Sequence, residues 1–232
     1  MVREKERCVT GIEGLDAITG GGLPKGGMVL VVGECGSGKS ALLAEFLMRG
    51  ASSGERGLLL STTLRPDKAI SSLPDLDFFD EMMIKDGRLL VMDLEQLAEI
   101  IPEGEGKQAE KIVKAIDGMV QKTGATRLGI DSFLPLQREL PEADQRHLLK
   151  ALSGMAMDRG CTTVLAYDAR EVEGYSSVVA DGVIMLRTVE RHGDMLRTLQ
   201  VVKMAGTYHS RSRYVFELTP IGTLMTPMLR GV

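Results

Sequence analysis

The chain has 232 residues, 44% of them hydrophobic, with a formal net charge of −4, which suits one large α/β unit (residues 1–232) with a full core rather than two cramped ones. The acidic balance, the lack of Trp and an aromatic fraction of 4% argue against a nucleic-acid surface, which needs clustered cations and stacking rings. No apolar run approaches the roughly 20 residues of a membrane span and the charged N-terminus is unlike a signal sequence, so no membrane insertion is expected.

In chain order, residues 1–9 are charged and are expected to fray or to pair with a neighbouring subunit. Thr10–Asp16 and Gly20–Gly27 read as a turn-rich entry to the first strand. Met28–Val32 is short, apolar and β-branched, as a buried parallel strand should be. Gly33-Glu34-Cys35-Gly36-Ser37-Gly38-Lys39-Ser40 follows and fits G-x-x-x-x-G-K-[ST], the phosphate-binding P-loop. Ala41–Arg49 is built of good helix formers. The motif thus sits between a strand and a helix, where its chemistry works. Glycines let the backbone curl so that N–H groups converge on an anion, and the helix adds its unpaired amides and positive dipole end. Lys39 reaches the β- and γ-phosphates of ATP and Ser40 ligates Mg²⁺; Gly33 through Ala41 form the nucleotide-binding set.

Gly57–Ser61 reads as a second strand, with Pro66 suited to the first turn of the helix after it. Leu89–Asp93 is a third strand, 101–107 a loop, and 108–123 a helix with one apolar face carrying Ile112, Val113, Ile116, Met119 and Val120. Leu128–Ser132 is a strand that carries Asp131 at its end. Pro141-Glu142 opens a helix with a stripe of Leu148, Leu149, Leu152, Met155 and Ala156, and Gly160 closes it. Cys161–Tyr167 is a buried strand ending at Asp168. Three later strands are expected at 196–204, 214–218 and 223–226. Alternating strands and helices demand a parallel sheet with right-handed crossovers; the late strands add antiparallel pairing at one edge. Three widely spaced cysteines, Cys8, Cys35 and Cys161, point to free thiols in a cytoplasm, without a disulfide frame or zinc site.

The run TGIEGLDAITGGGLPKGGMVLVVGECGSGKS and the later ADGVI segment, Ala180–Ile184, resemble the KaiC-like branch of the RecA superfamily over nearly the whole chain. That branch includes clock domains, RadA-type recombinase paralogues and the archaellum motor's ATP-binding subunit. The resemblance implies a RecA-like fold, ATP with Mg²⁺ as ligands, and Asp131 as the Walker B carboxylate beside Ser40. It also implies a ring or filament of identical subunits, with a hexamer among the candidate sizes, and an unidentified protein partner.

Two departures from the family's pattern bear on turnover. Active members place a Glu pair before the Pro that follows the second strand; Thr63 and Leu64 stand there, and no Glu lies between Gly57 and Leu73. Family assemblies feed a Lys and an Arg into the neighbour's site; Lys203 is kept, but the Arg position is Ala205. Asp168, Glu171 and Lys203 remain as weak catalytic candidates, and Arg211 or Arg213 is either a substitute in trans or part of a solvated hairpin tip. Two functions are therefore expected to compete. One is a nucleotide-dependent switch or assembly subunit with weak or no hydrolysis. The other is a slow ATPase of the recombinase-paralogue type. Direct DNA binding is disfavoured, because Glu171–Val179, where the family's DNA-contacting loop lies, is acidic and lacks Lys.

Overall fold

The computed structural model describes residues 6–72, 76–101, 107–138, 140–169 and 178–228. Strand β1 (Arg7–Cys8) pairs antiparallel with β2 (Leu23–Pro24), and helix α1 (Glu13–Thr19) lies between them. The chain then runs through β3 (Met28–Gly33), α2 (Lys39–Ser52), β4 (Gly57–Ser61), α3 (Pro66–Ser71), α4 (Met82–Lys85), β5 (Leu89–Asp93), α5 (Leu94–Glu99) and α6 (Gln108–Thr123). It continues with β6 (Arg127–Asp131), α7 (Phe133–Arg138), α8 (Glu142–Arg159) and β7 (Thr162–Asp168). Last come β8 (Gly182–Arg191), β9 (Asp194–Met204), β10 (Arg213–Thr219) and β11 (Gly222–Pro227). Among the described residues β3 to β11 form one nine-stranded sheet, in the order β11-β10-β9-β8-β3-β7-β6-β4-β5. From β8 to β5 every pairing is parallel; β9, β10 and β11 add to β8 antiparallel. The RecA-like architecture expected from the sequence is the one observed.

Period-two alternation divides the buried strands between two cores. Val29 and Val31 of β3 pack with α2 on one face; Met28, Leu30 and Val32 pack with α6 and α8 on the other. All six residues of β3 are buried, which is why it reads as an unbroken apolar run. Helices α6 and α8 end on Gly124 and Gly160 in the left-handed conformation. They are clasped together by Asp117, whose carboxylate accepts from Arg159 Nε at 2.6 Å and Nη2 at 2.8 Å and from Gln121.

Two buried charged groups tie distant segments. Arg127, 3% exposed, donates to Phe46 O at 2.6 Å, to Val9 O at 2.7 Å and to Thr10 O, pairs with Glu55, and lies over the Phe46 ring. Glu45 on α2, 2% exposed, accepts from the Thr223 amide at 2.9 Å and hydroxyl at 2.6 Å, and from Arg49. Arg49 in turn donates to Ile221 O at 2.7 Å.

Two expectations are corrected at the N-terminal end. Arg7 and Cys8 pair with Pro24 and Leu23 of the same chain, so residues expected to fray or reach a neighbouring subunit are tied in from Arg7 onward. The turn-rich entry contains α1, started where Asp16 accepts from the Thr10 amide and hydroxyl and the Gly11 amide.

Candidate functional site

The parallel strands end together at one edge of the sheet. Gly33 stands in register with Asp168, and Ser61 with both Asp93 and Asp131. Ligands of open α/β sheets bind in the crevice beyond these carboxyl ends. Here the loop between β3 and α2 curls over that crevice. Gly36 and Gly38 hold φ of 77° and 99°, where a side chain is strained. A Cβ on Gly33 would lie 2.4 Å from Ser37 Oγ and 2.8 Å from Leu186 O, so β3 can leave the sheet only as glycine. Buried Ser37 donates to Glu34 O at 2.8 Å and closes the loop on itself. No side chain caps α2, which leaves its first-turn amides to an anion.

The charged groups converge on the same place. The Lys39 ammonium donates to Gly33 O at 2.7 Å and Glu34 O at 2.8 Å. Ser40 and Asp131 both line the cleft, close enough for the Ser40 hydroxyl to favour the charged form of the carboxyl. Burial pushes the Asp131 carboxyl above its ordinary range, against the opposing pull of the Ser40 hydroxyl and the Lys39 charge. Behind Asp131, Thr62 fixes the exit of β4 to that of β6: its amide donates to Asp131 O at 2.7 Å and its hydroxyl to Ser132 O.

Together these groups bound a cleft of about 450 Å³. Cys35, Gly36, Gly38, Lys39, Ser40 and Ala41 form one wall; Thr63, Leu64, Asp131 and Asp168 stand on others. Gly33, Glu34 and Ser37 shape the loop without lining the cleft, and the Glu34 side chain is exposed. Glu171 lies outside the described residues. Lys203 is not on the cleft wall; its ammonium donates to Val178 O and to Ala180 O at 2.6 Å. Ala205 holds its position through its amide, 2.7 Å from Asp181 O.

One cation escaped the sequence reading. Arg197 on β9 places its Nε 3.4 Å from Gly36 O, and its Cδ lies 3.9 Å from where a Gly38 Cβ would be. No motif marks it; only the return of β9 beside the P-loop strand brings it there. Phe216 on β10 belongs with it, its ring 3.0 Å from that same Cβ position.

The donor set fits a polyphosphate with a divalent cation: the uncapped amides of α2, an ammonium, and a hydroxyl beside a carboxylate. No group of three or more His, Cys, Asp or Glu that could hold a metal ion occurs among the described residues; at this cleft Ser40 and Asp131 are the groups that could take part in holding one beside an anionic ligand. Of the thiols, Cys35 is exposed, while Cys8 and Cys161 are buried and Cys161 is pushed up to about 12 by burial. No described helix is long and apolar enough to cross a membrane.

Comparison with known proteins agrees with this geometry. Residues 8–228 match the family model described as "ATPase: KaiC". The circadian clock protein KaiC2 of Synechocystis is 31% identical over 230 residues, which cover 96% of this chain and 40% of that protein. The chain thus spans under half the length of that clock protein. A UPF0273 protein of Thermotoga maritima is 30% identical, with 97% of this chain and 98% of that one covered. The crystal structure of a KaiC-like protein from Pyrococcus horikoshii superposes with a TM-score of 0.81 at 28% identity, covering 96% of this chain and 99% of that one. The chain belongs to the KaiC family of RecA-superfamily ATPases.

Proposed function

We propose that this single KaiC-like unit binds Mg-ATP in the P-loop cleft and works as a nucleotide-dependent switch or assembly subunit with slow turnover. The observation that carries this is the composition of the cleft wall: Lys39, Ser40 and Asp131 are together, while Thr63 and Leu64 occupy the wall where a water-polarising Glu pair is expected. The loop amides and Lys39 would bind the phosphates. Ser40 and Asp131 would hold Mg²⁺, which offsets phosphate charge when bound. Neither a hydroxyl nor a leucine can serve as a carboxylate base, and Ala205 supplies no trans guanidinium. ATP then persists long enough for its presence to set contacts with other copies or with a protein partner. Free thiols accord with a cytoplasmic setting.

The slow-ATPase reading keeps the same site and differs in rate; its DNA-repair variant finds no support in a chain of net charge −4. The test is thermal unfolding with and without Mg-ATP. Ligand at about 100 times its Kd adds roughly 2.7 kcal/mol, or about 5–11 °C at this chain length. Lys39→Ala should remove most of that shift. An unchanged shift in the variant would put the ligand elsewhere. Turnover is expected at about one per minute or slower, against the roughly 1–10³ s⁻¹ of typical enzymes.

A further inference from the structure

Strand β7 lies between β3, which carries the P-loop, and β6, which carries Asp131. Its end therefore opens between the two halves of the cleft. Ile130 pairs with Leu165, so Asp131 is level with Ala166, and Asp168 stands two residues beyond. At about 3.3 Å per residue, that puts Asp168 some ~7 Å further out along the strand direction. Ala166 packs into the core on the α2 face of the sheet, and Tyr167 into the opposite core. By period two, Asp168 shares the α2 face with Ala166, and it does line the cleft. Among the described lining residues only Asp131 and Asp168 are carboxylates. Asp131 stands beside Ser40, where the two would hold Mg²⁺ rather than the attacking water. The hydroxyls of Ser61, Thr63, Ser72 and Ser132 that also face the cleft cannot take a proton from water at neutral pH.

We infer that Asp168 orients and deprotonates the water that attacks the γ-phosphate, in place of the absent Glu pair; this rests on the ATP reading of the cleft. The water oxygen forms a bond to the γ-phosphorus, and the bond from that phosphorus to the β,γ-bridging oxygen breaks. The bridging electron pair leaves with ADP, and the water proton passes to the Asp168 carboxylate and on to solvent. The same carboxylate repels the γ-phosphate of the bound ground state. Asp168 thus weakens binding while it supports turnover, and its removal moves the two in opposite directions. A structural role moves both down together.

The experiment pairs two readouts on the full chain. One is the Kd for a fluorescent ATP analogue with Mg²⁺; the other is single-turnover release of labelled phosphate over hours, against a Lys39→Ala blank. Asp168→Asn is expected to lower the rate about 10–1000-fold with Kd unchanged or tighter, and Asp168→Glu to retain part of the rate. Equal rates for wild type and Asp168→Asn would overturn the inference. So would a wild type that binds the analogue but releases phosphate no faster than the blank, or an Asn variant that loses affinity and rate together. Should Asp168→Asn fail to fold, Asp168→Ser takes its place, judged by the same two readouts. A wild type that binds no analogue removes the underlying ATP reading as well, a result distinct from the others.

Discussion

Gly50 lies within α2, where on propensity alone Ala would stabilise by about 1 kcal/mol. The packing reverses that sign. A Cβ at this position would lie 2.4 Å from Arg127 Nε and 2.5 Å from its Cδ. That guanidinium cannot swing aside, because it holds three backbone carbonyls and Glu55 at once. Gly50→Ala is therefore expected to destabilise by about 1–3 kcal/mol, read as a lower urea midpoint with an unchanged slope. A stabilised variant would mean that Arg127 is not fixed as described. Nothing in the sequence warned of this. Arg127 reads as an ordinary charged residue at a strand start, and its partners Val9, Thr10, Phe46 and Glu55 are 72 to 118 residues away.

Elements were easier to read where local rules agree. Strands β3 to β7 and helices α2, α6 and α8 follow from apolar runs, a 3.6-residue stripe and closing glycines at 124 and 160. Helix α5 was missed, though Asp93 and Gln96 form a capping box that the D-x-x-Q spacing could have announced. Helix α7 carries Pro135 in its first turn, where the missing amide costs no intrahelical bond, and its six residues are too few to show a stripe. The nucleotide loop was plain for the same reason that Arg197 was hidden: the first is a contiguous motif, the second a contact made by strand order. The clasp between α6 and α8 offers a test at this scale. Arg159 first, then Gln121, hold the Asp117 carboxyl below its ordinary value despite some burial. A depressed carboxyl contributes stability above its unfolded pKa, and that contribution is lost as pH falls through the folded one. Asp117→Asn should therefore cost about 0.5–1 kcal/mol near pH 7, and wild type and variant should converge in acid. A difference that does not change with pH would mean the clasp acts through packing alone.

At the scale of the whole molecule, the exposed surface bears on assembly. The segment expected to reach a neighbour's site, Lys203 to His209, contains one exposed apolar side chain, Tyr208 at 99%, and follows another, Val202 at 54%; Val178, whose carbonyl accepts from Lys203, is 73% exposed. Single exposed apolar groups are ordinary, but their position on the segment expected at a subunit boundary makes them the ones to change in a test of assembly. Wild type at about 10 μM with saturating Mg-ATP is expected to scatter light as an oligomer, well above the response of Tyr208→Asp with Val202→Asp, while both bind nucleotide. A wild type that stays monomeric would count against the assembly reading.

The loop at residues 33–40 comes early in the chain, yet its supports come late: Leu186 O beneath Gly33, the Arg197 contact to Gly36, and the Phe216 ring against Gly38. Translation proceeds from the N-terminus at about 5–20 residues per second. A nascent chain that carries the complete P-loop motif is thus still without the surfaces that hold it until residue 216 has left the ribosome. Fragments ending before β10 should keep the motif and lose the ligand, and ATP can act as a folding ligand only once β10 has been made.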